Sequence, residues 1–166
     1  MTKAIRLALI SLMLPILGAC SLVSNDSSRQ NCAGQFDLNV LTEPLGPGLA
    51  LSTTMRAALH DKQSVRMEEL TRAAGWSDGW DLMAQVRSNT QTADLNGFTQ
   101  TPGYCWDGLP RVKEPVPEGF YLFFKDHVPV QKVDWRGDSM PIQLRNNASL
   151  TPQSQLVVNG DRFAPA

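Results

Sequence analysis

Behind Lys3 and Arg6 the chain runs apolar or small from Leu7 to Ala19, and residues 21–31, SLVSNDSSRQN, are then mostly polar and serine-rich. Thirteen residues fall well short of the roughly 20 that a membrane-spanning helix needs. Positive charge followed by a short apolar core therefore predicts an export leader over residues 1–19, which takes no part in the fold. The polar stretch after it buries little and reads, with residue 20, as a tether over 20–31.

From residue 32 the pattern becomes that of a folded domain extending to 166. Phe36, Leu38 and Val40 alternate with Asp37 and Asn39, the period of a half-buried strand, and EPLGPG ends it. Leu51, Met55, Ala58 and Leu59 share a helical face, which predicts a helix over 53–60 with Ser52 as its cap. Met67, Leu70 and Ala74 predict a second, with Ser64 as cap, Glu68 and Arg72 spaced to pair, and Gly75 as the stop.

After residue 80 the texture is that of short strands. WDLMAQV and YCWDGLP read as strands, TADLNGF as a single helical turn, and EPVPEG as a proline-rich break. In GFYLFFKDHVPVQKVDW, residues 120–124 are apolar on both faces, as in a central strand, and Asp126-His127 is a tight connection to the next strand. Pro129 has no donor and belongs at an edge or bulge. Residues 142–144 and 156–158 suggest two more strands, with Asn159-Gly160 as a turn signal. Helices followed by consecutive strands predict an α+β fold, a small antiparallel β-sheet with two short N-terminal helices packed on it.

The leader ends in Leu17-Gly18-Ala19-Cys20. This segment resembles the lipobox of bacterial lipoprotein precursors over about 20 of the 166 residues, with charge, apolar core and terminal motif in the family's order. The resemblance implies a signal peptide removed before Cys20, a diacylglycerol on its sulfur, and palmitate-type acylation. Each buried methylene contributes about 0.8 kcal/mol, so two or three chains hold a protein firmly to a membrane. Ser21, standing where some of these lipoproteins carry aspartate, resembles those sent on to an outer membrane. The expected location is the extracytoplasmic face of the cell membrane or the outer membrane.

Composition narrows the partners. The chain has 15 basic and 16 acidic residues and no basic stripe of the kind that neutralises phosphates, so nucleic acid is not an expected partner. With Cys20 given to lipid, Cys32 and Cys105 remain as a pair in an oxidising compartment and are expected to form a disulfide. Closing so long a loop stabilises by up to roughly 4–5 kcal/mol on the chain-entropy account.

No set of residues spells a catalytic site. Gly137-Asp138-Ser139 resembles the opening motif of the SGNH hydrolases, but no histidine follows the serine, and a polar turn explains it better. His60 and His127 lie far apart with no metal-ligand spacing; a site built from His60, Asp61, Asp126 and His127 would arise only by accident of the fold. Glu68 and Glu69, adjacent on a helix, point in different directions. No cofactor or metal is expected.

Trp76, Trp80, Trp106 and Trp135 each adjoin glycine, aspartate or cysteine at predicted junctions and strand ends. They either pin loops onto a small core, with Trp106 shielding the disulfide, or form an exposed aromatic surface for sugars or a protein. The combined expectation is a non-catalytic envelope lipoprotein that binds or inhibits a protein partner. The alternatives are a peptidoglycan or glycolipid binding module and an envelope hydrolase using His60 or His127. Thiol titration of the denatured, unreduced chain should find neither Cys32 nor Cys105 free, and two reactive thiols there would remove the bridge.

Overall fold

The computed structural model describes residues 32–61, 64–111, 117–145 and 148–166, with the exception of the Asp138 side chain. The leader, Cys20 and the tether lie outside the described residues. The strands are β1 Gly34–Asp37, β2 Val65–Arg66, β3 Leu82–Arg87, β4 Tyr104–Asp107, β5 Glu118–Lys125, β6 Val128–Arg136, β7 Ser149–Leu150, β8 Gln155–Asn159 and β9 Arg162–Pro165. The helices are α1 Gly48–His60, α2 Met67–Ala73 and α3 Thr92–Thr99. Residues Asn31–Ala166 form one compact unit.

The class is α+β, but one sheet is replaced by three among the described residues. An antiparallel sheet of order β6-β5-β3-β7 forms the centre, β2-β8-β9 is a second antiparallel sheet, and β1 pairs with β4 in parallel. β5 is central because its residues are apolar on both faces: Tyr121 and Phe123 enter one core, and Phe120, Leu122 and Phe124 the other. Fully burying side chains of this size contributes about 1.5–3 kcal/mol each, so this strand joins both cores.

The first core is covered by α1, α2 and the β8–β9 hairpin, through Leu51, Met55, Leu70, Leu156 and Phe163. The two early helices, expected to pack on the sheet, are among these covering elements. The second core is covered by α3 and the β1–β4 ribbon, through Leu95, Phe98, Phe36 and Trp106. TADLNGF is therefore an eight-residue helix and not a single turn. Its entry is closed by the Asp94 carboxylate, which accepts from the Gln91 backbone N–H at 3.1 Å, and its buried side is little more than Leu95, too narrow a stripe for periodicity to reveal.

Helix α1 begins five residues before its expected start. Ser52 lies inside it, and the cap comes from outside: Glu43 Oε1 accepts from Gly48 N–H at 2.9 Å. Ser64 likewise caps nothing; its hydroxyl donates to the Leu156 carbonyl across the β2–β8 pair. The Glu68 carboxylate meets Arg66 at 3.1 Å and not Arg72. Gly75 is the helix stop, at φ 77°, with Gly75 N–H donating to the Arg72 carbonyl and Trp76 N–H to that of Thr71.

Two expected strands are cut short. β1 ends at Asp37 because its Oδ1 accepts from the backbone and side chain of Asn39, both at 2.9 Å, and turns the chain. Leu38 stays buried, but Val40 is left 71 % exposed. Residues 142–144 make only one parallel bridge, Ile142 to Phe163. The β5–β6 hairpin follows the sequence reading: Asp126 and His127 both take positive φ, and the ladder slips at Phe123/Phe124 opposite Pro129 and Gln131, on an edge strand. The β8–β9 turn is Gly160-Asp161, one residue later than the expected pair.

Two glycines separate close packing from open space. A Cβ on Gly119 would strike the Val86 carbonyl and lie 2.5 Å from the Trp135 ring, whereas one on Gly97 in α3 meets nothing within 4 Å. Gly119→Ala should destabilise by more than about 3 kcal/mol. Gly97→Ala should stabilise by about 0.5–1 kcal/mol. Urea unfolding of the two variants checks the opposite signs.

Candidate functional site

β3 is apolar except at its last positions, where Gln85 and Arg87 follow one another on the same face. Gln85 is 9 % exposed, so each of its polar atoms needs a partner. Its Oε1 accepts from Leu144 N–H at 2.9 Å and from Arg87 Nη2 at 2.7 Å, while its Nε2 donates to the Ile142 carbonyl at 3.2 Å. Arg87 Nη2 also donates to the Leu144 carbonyl at 2.9 Å. On β5, the Tyr121 hydroxyl donates to the Ile142 carbonyl at 2.7 Å and accepts from Ile142 N–H at 2.8 Å.

These side chains hold the extended segment 140–145 where a full ladder would otherwise be needed. Gln143 N–H still donates to the Phe163 carbonyl, and then Leu144 turns away to Gln85, so the segment leaves β9 and joins the central sheet. A cleft opens where it diverges.

Arg87 borders three spaces there. The largest, about 1120 Å³, is lined by Gln143, Leu144, Arg145 and Ala148 on one side and by Val157, Arg162 and Pro165 on the other, with Arg87 at its edge. A second, about 250 Å³, is lined by Arg87, Trp135, Met140, Gln143 and Arg162. The third, about 190 Å³, has Arg87, Arg145 and Asp94 in its wall. Both hydrogen bonds of Arg87 leave from Nη2, so its remaining N–H groups face the cleft region without an acceptor among the described residues. Arg162 Nη1 donates to Gln143 Oε1 at 3.4 Å, and its Nε lies 3.7 Å from the exposed Asp161 carboxylate.

Trp135 adds a neutral donor. Its ring packs against Gly119 and is 6 % exposed, and its Nε1 has no acceptor among the described residues. The Trp76 and Trp106 indoles differ, donating to the Pro47 carbonyl and to Asn96 Oδ1. A buried donor left unmatched costs about 1–3 kcal/mol.

The residues singled out from sequence fall elsewhere. Cys20 lies outside the described residues. Cys32 and Cys105 form the disulfide, with Cα atoms 5.6 Å apart, at the start of the β1–β4 ribbon. The four tryptophans do not form an exposed surface: Trp76, Trp80, Trp106 and Trp135 are between 4 % and 7 % exposed. Trp76 and Trp80 pack edge-on against Phe123, and Trp106 against Phe124, because rings of this size are what a thin two-core domain uses to fill the space beside its central strand.

The fragments that resemble catalytic motifs serve local structure. Ser139 closes a 3-10 turn, its Oγ accepting from Arg136 N–H and donating to the Arg136 carbonyl. Glu69 accepts from Arg66 N–H at the head of α2. The His60 side chain is 90 % exposed beside Asp61, and the cavity that Asp126 and His127 line includes neither of those two residues. Among the described residues no three of His, Cys, Asp and Glu gather as a metal site. The arginine cleft has no sequence motif, since its members come from three separate segments; the one hint is the glutamine inside an otherwise apolar strand. The chain matches no family model, no curated protein and no solved structure.

Burial pushes the Tyr121 phenol well above its ordinary pKa of 10.0, outweighing the Ile142 backbone hydrogen bond and the nearby Arg162 and Arg87, which act in the opposite direction. A folded-state pKa raised above the unfolded one gives stability that is complete below about pH 10 and lost as pH rises beyond it. Tyr121→Phe should therefore lower stability at pH 7 by about 1–3 kcal/mol, by stripping the Ile142 N–H of its acceptor and the Ile142 carbonyl of one of its two donors. It should also flatten the fall in stability above pH 10. Urea unfolding between pH 7 and 11 reads both, and an unchanged alkaline slope would contradict the assignment.

Proposed function

We propose that this chain is a bacterial envelope lipoprotein, anchored through Cys20, whose folded domain is a non-catalytic module for binding or inhibiting a protein partner. The observation that carries this reading is the sequence Leu17-Gly18-Ala19-Cys20 at the end of a short, positively led apolar run. The pairing of Cys32 with Cys105 agrees with it in two ways: it leaves Cys20 as the one cysteine for lipid, and it suits an oxidising, extracytoplasmic setting.

The non-catalytic part is supported by the placement of the reactive side chains. Ser139, Glu68 and Glu69 are engaged in turns, caps and surface ion pairs. The Arg87 cleft offers donors and positive charge, which suit recognition of an anionic group.

Growth with labelled palmitate tests the anchor. The wild-type chain should take up label and partition with membranes; Cys20→Ala should take up none and remain unprocessed or leave the membrane while the domain stays folded. Label on the variant would overturn the assignment. Crosslinking in intact envelopes should capture one reproducible protein, and recovery of glycan alone would favour a wall-binding role.

A further inference from the structure

We propose that the connection from β1 into α1, residues 38–49, is the surface by which this domain docks, and that it seats Pro44, Pro47 and Leu49 in an apolar groove with a basic rim on a partner protein. The first observation is exposure. Among the described residues three large apolar side chains stand exposed, Val40 at 71 %, Leu49 at 76 % and Val128, and two of the three belong to this segment. Pro44 and Pro47 are exposed between them. The fold does not call on these four, since Leu38, Leu41 and Leu45 supply the segment's packing onto the two cores. Single apolar residues scattered on a surface carry no message, but several on one short segment mark a contact surface.

The second observation is that the segment is held rigid from within. Gln131, fully buried on β6, accepts from Leu45 N–H at 2.9 Å and donates to the Gly46 carbonyl at 2.7 Å. Ser77 N–H donates to the Leu45 carbonyl at 2.8 Å, and the Trp76 indole to that of Pro47 at 3.0 Å. Glu43 closes on Gly48 N–H, and neither proline has an N–H to offer, so most backbone polar groups from Leu45 to Gly48 are engaged inside the domain. The segment therefore recognises through side chains and not by adding a strand, and little conformational freedom is lost when it is covered.

The third observation is charge, which selects the occupant. Residues 32–55, 73–86 and 103–110 contain no Lys, Arg or His, and they meet here. Leu38 N–H donates to the Asp107 carbonyl, Gly108 lies against Asn39, and Gly79 against Leu45. Asp37 and Asp107 stand at one end of the segment, Asp78 beside the other and Glu43 between, all exposed. Lys132, which shares a hollow with Gly108, has its ammonium over the Phe120 ring. Apolar side chains with an acidic border are complementary to an apolar groove edged with Lys and Arg, and are repelled by an anionic lipid surface. A second copy of the chain would set the same acidic border against its own. The proposal rests on the interaction-module reading for there being a partner, and on this segment alone for where the partner sits.

The test uses the full chain in its own envelope with the photocrosslinking residue benzoylphenylalanine at position 44 or 49. Controls carry it at 127 or 161, exposed in the β5–β6 and β8–β9 turns. Irradiation should give one protein adduct, of the same mass from 44 and 49 and at least about tenfold more abundant than any from 127 or 161. With the reporter at 44, Leu49→Ser should cut the adduct about tenfold and Leu49→Met should keep it. Asp78→Lys combined with Asp107→Lys should also cut it, and the captured protein, once purified, should bind the wild-type chain more weakly as NaCl rises. The urea midpoints of these variants should stay at the wild-type value, because every altered side chain is exposed. Equal adducts at all four positions, an adduct of twice the chain's own mass, a lipid adduct, or an adduct strengthened by the two lysines would overturn the proposal. A protein adduct from 127 or 161 with none from 44 or 49 would sink this surface and leave the module reading standing. No protein adduct from any of the four would remove both.

Discussion

The segment from Met140 to Arg145 is held by side chains where a strand would be held by its neighbours' backbones. Gln85 and Tyr121 between them occupy the N–H and carbonyl of Ile142 and the N–H of Leu144, and Arg87 takes the Leu144 carbonyl. Each of these side chains is buried or half-buried, so each bond is made where water does not compete well. The segment can then serve two sheets in turn, bridging to β9 at Ile142 and reaching the central sheet by Leu144. The cleft is the geometric result, since two strands that part company leave a wedge between them.

The clamp depends in turn on β5 and β3 being rigid. Both strands are interior in the sheet order, and β5 sends aromatic rings into two separate cores. A shift of either strand would move Tyr121 and Gln85 together, so the polar contacts and the apolar packing are coupled through the same backbone. The indole of Trp135 shows this closely: the absence of a side chain on Gly119 lets the ring pack close against β5, where its N–H is buried.

Much of the fold was legible because it is written in local patterns. The doubly apolar run 120–124, the Asp126-His127 reversal, the bulge at Pro129 and the stop at Gly75 all depend on residues near in sequence. What periodicity missed depended on distant partners. Ser52 and Ser64 have the right chemistry for caps, yet Glu43 and Leu156 decide the outcome from outside the helices. Helix α3 has almost no apolar stripe and is stabilised by the second core. The division into three sheets follows from where strands pair, which alternation does not encode. The cleft was invisible for the same reason: Arg87, Arg145 and Arg162 share no spacing, and only the fold gathers them. The tryptophans illustrate the opposite limit, because composition identified them as important without revealing on which side of the surface they lie.

The cross-link at Cys32 stands at the first described residue, ahead of β1. A pull transmitted into the described residues from their N-terminal side therefore reaches a covalent bond before it reaches any hydrogen-bonded ladder among them. Through Cys105 the load passes directly into β4, whose Trp106 is tied to Asn96 of α3, and so spreads into the second core. β1 is bypassed as a mechanical element, and the domain can be tugged without unzipping from its own beginning.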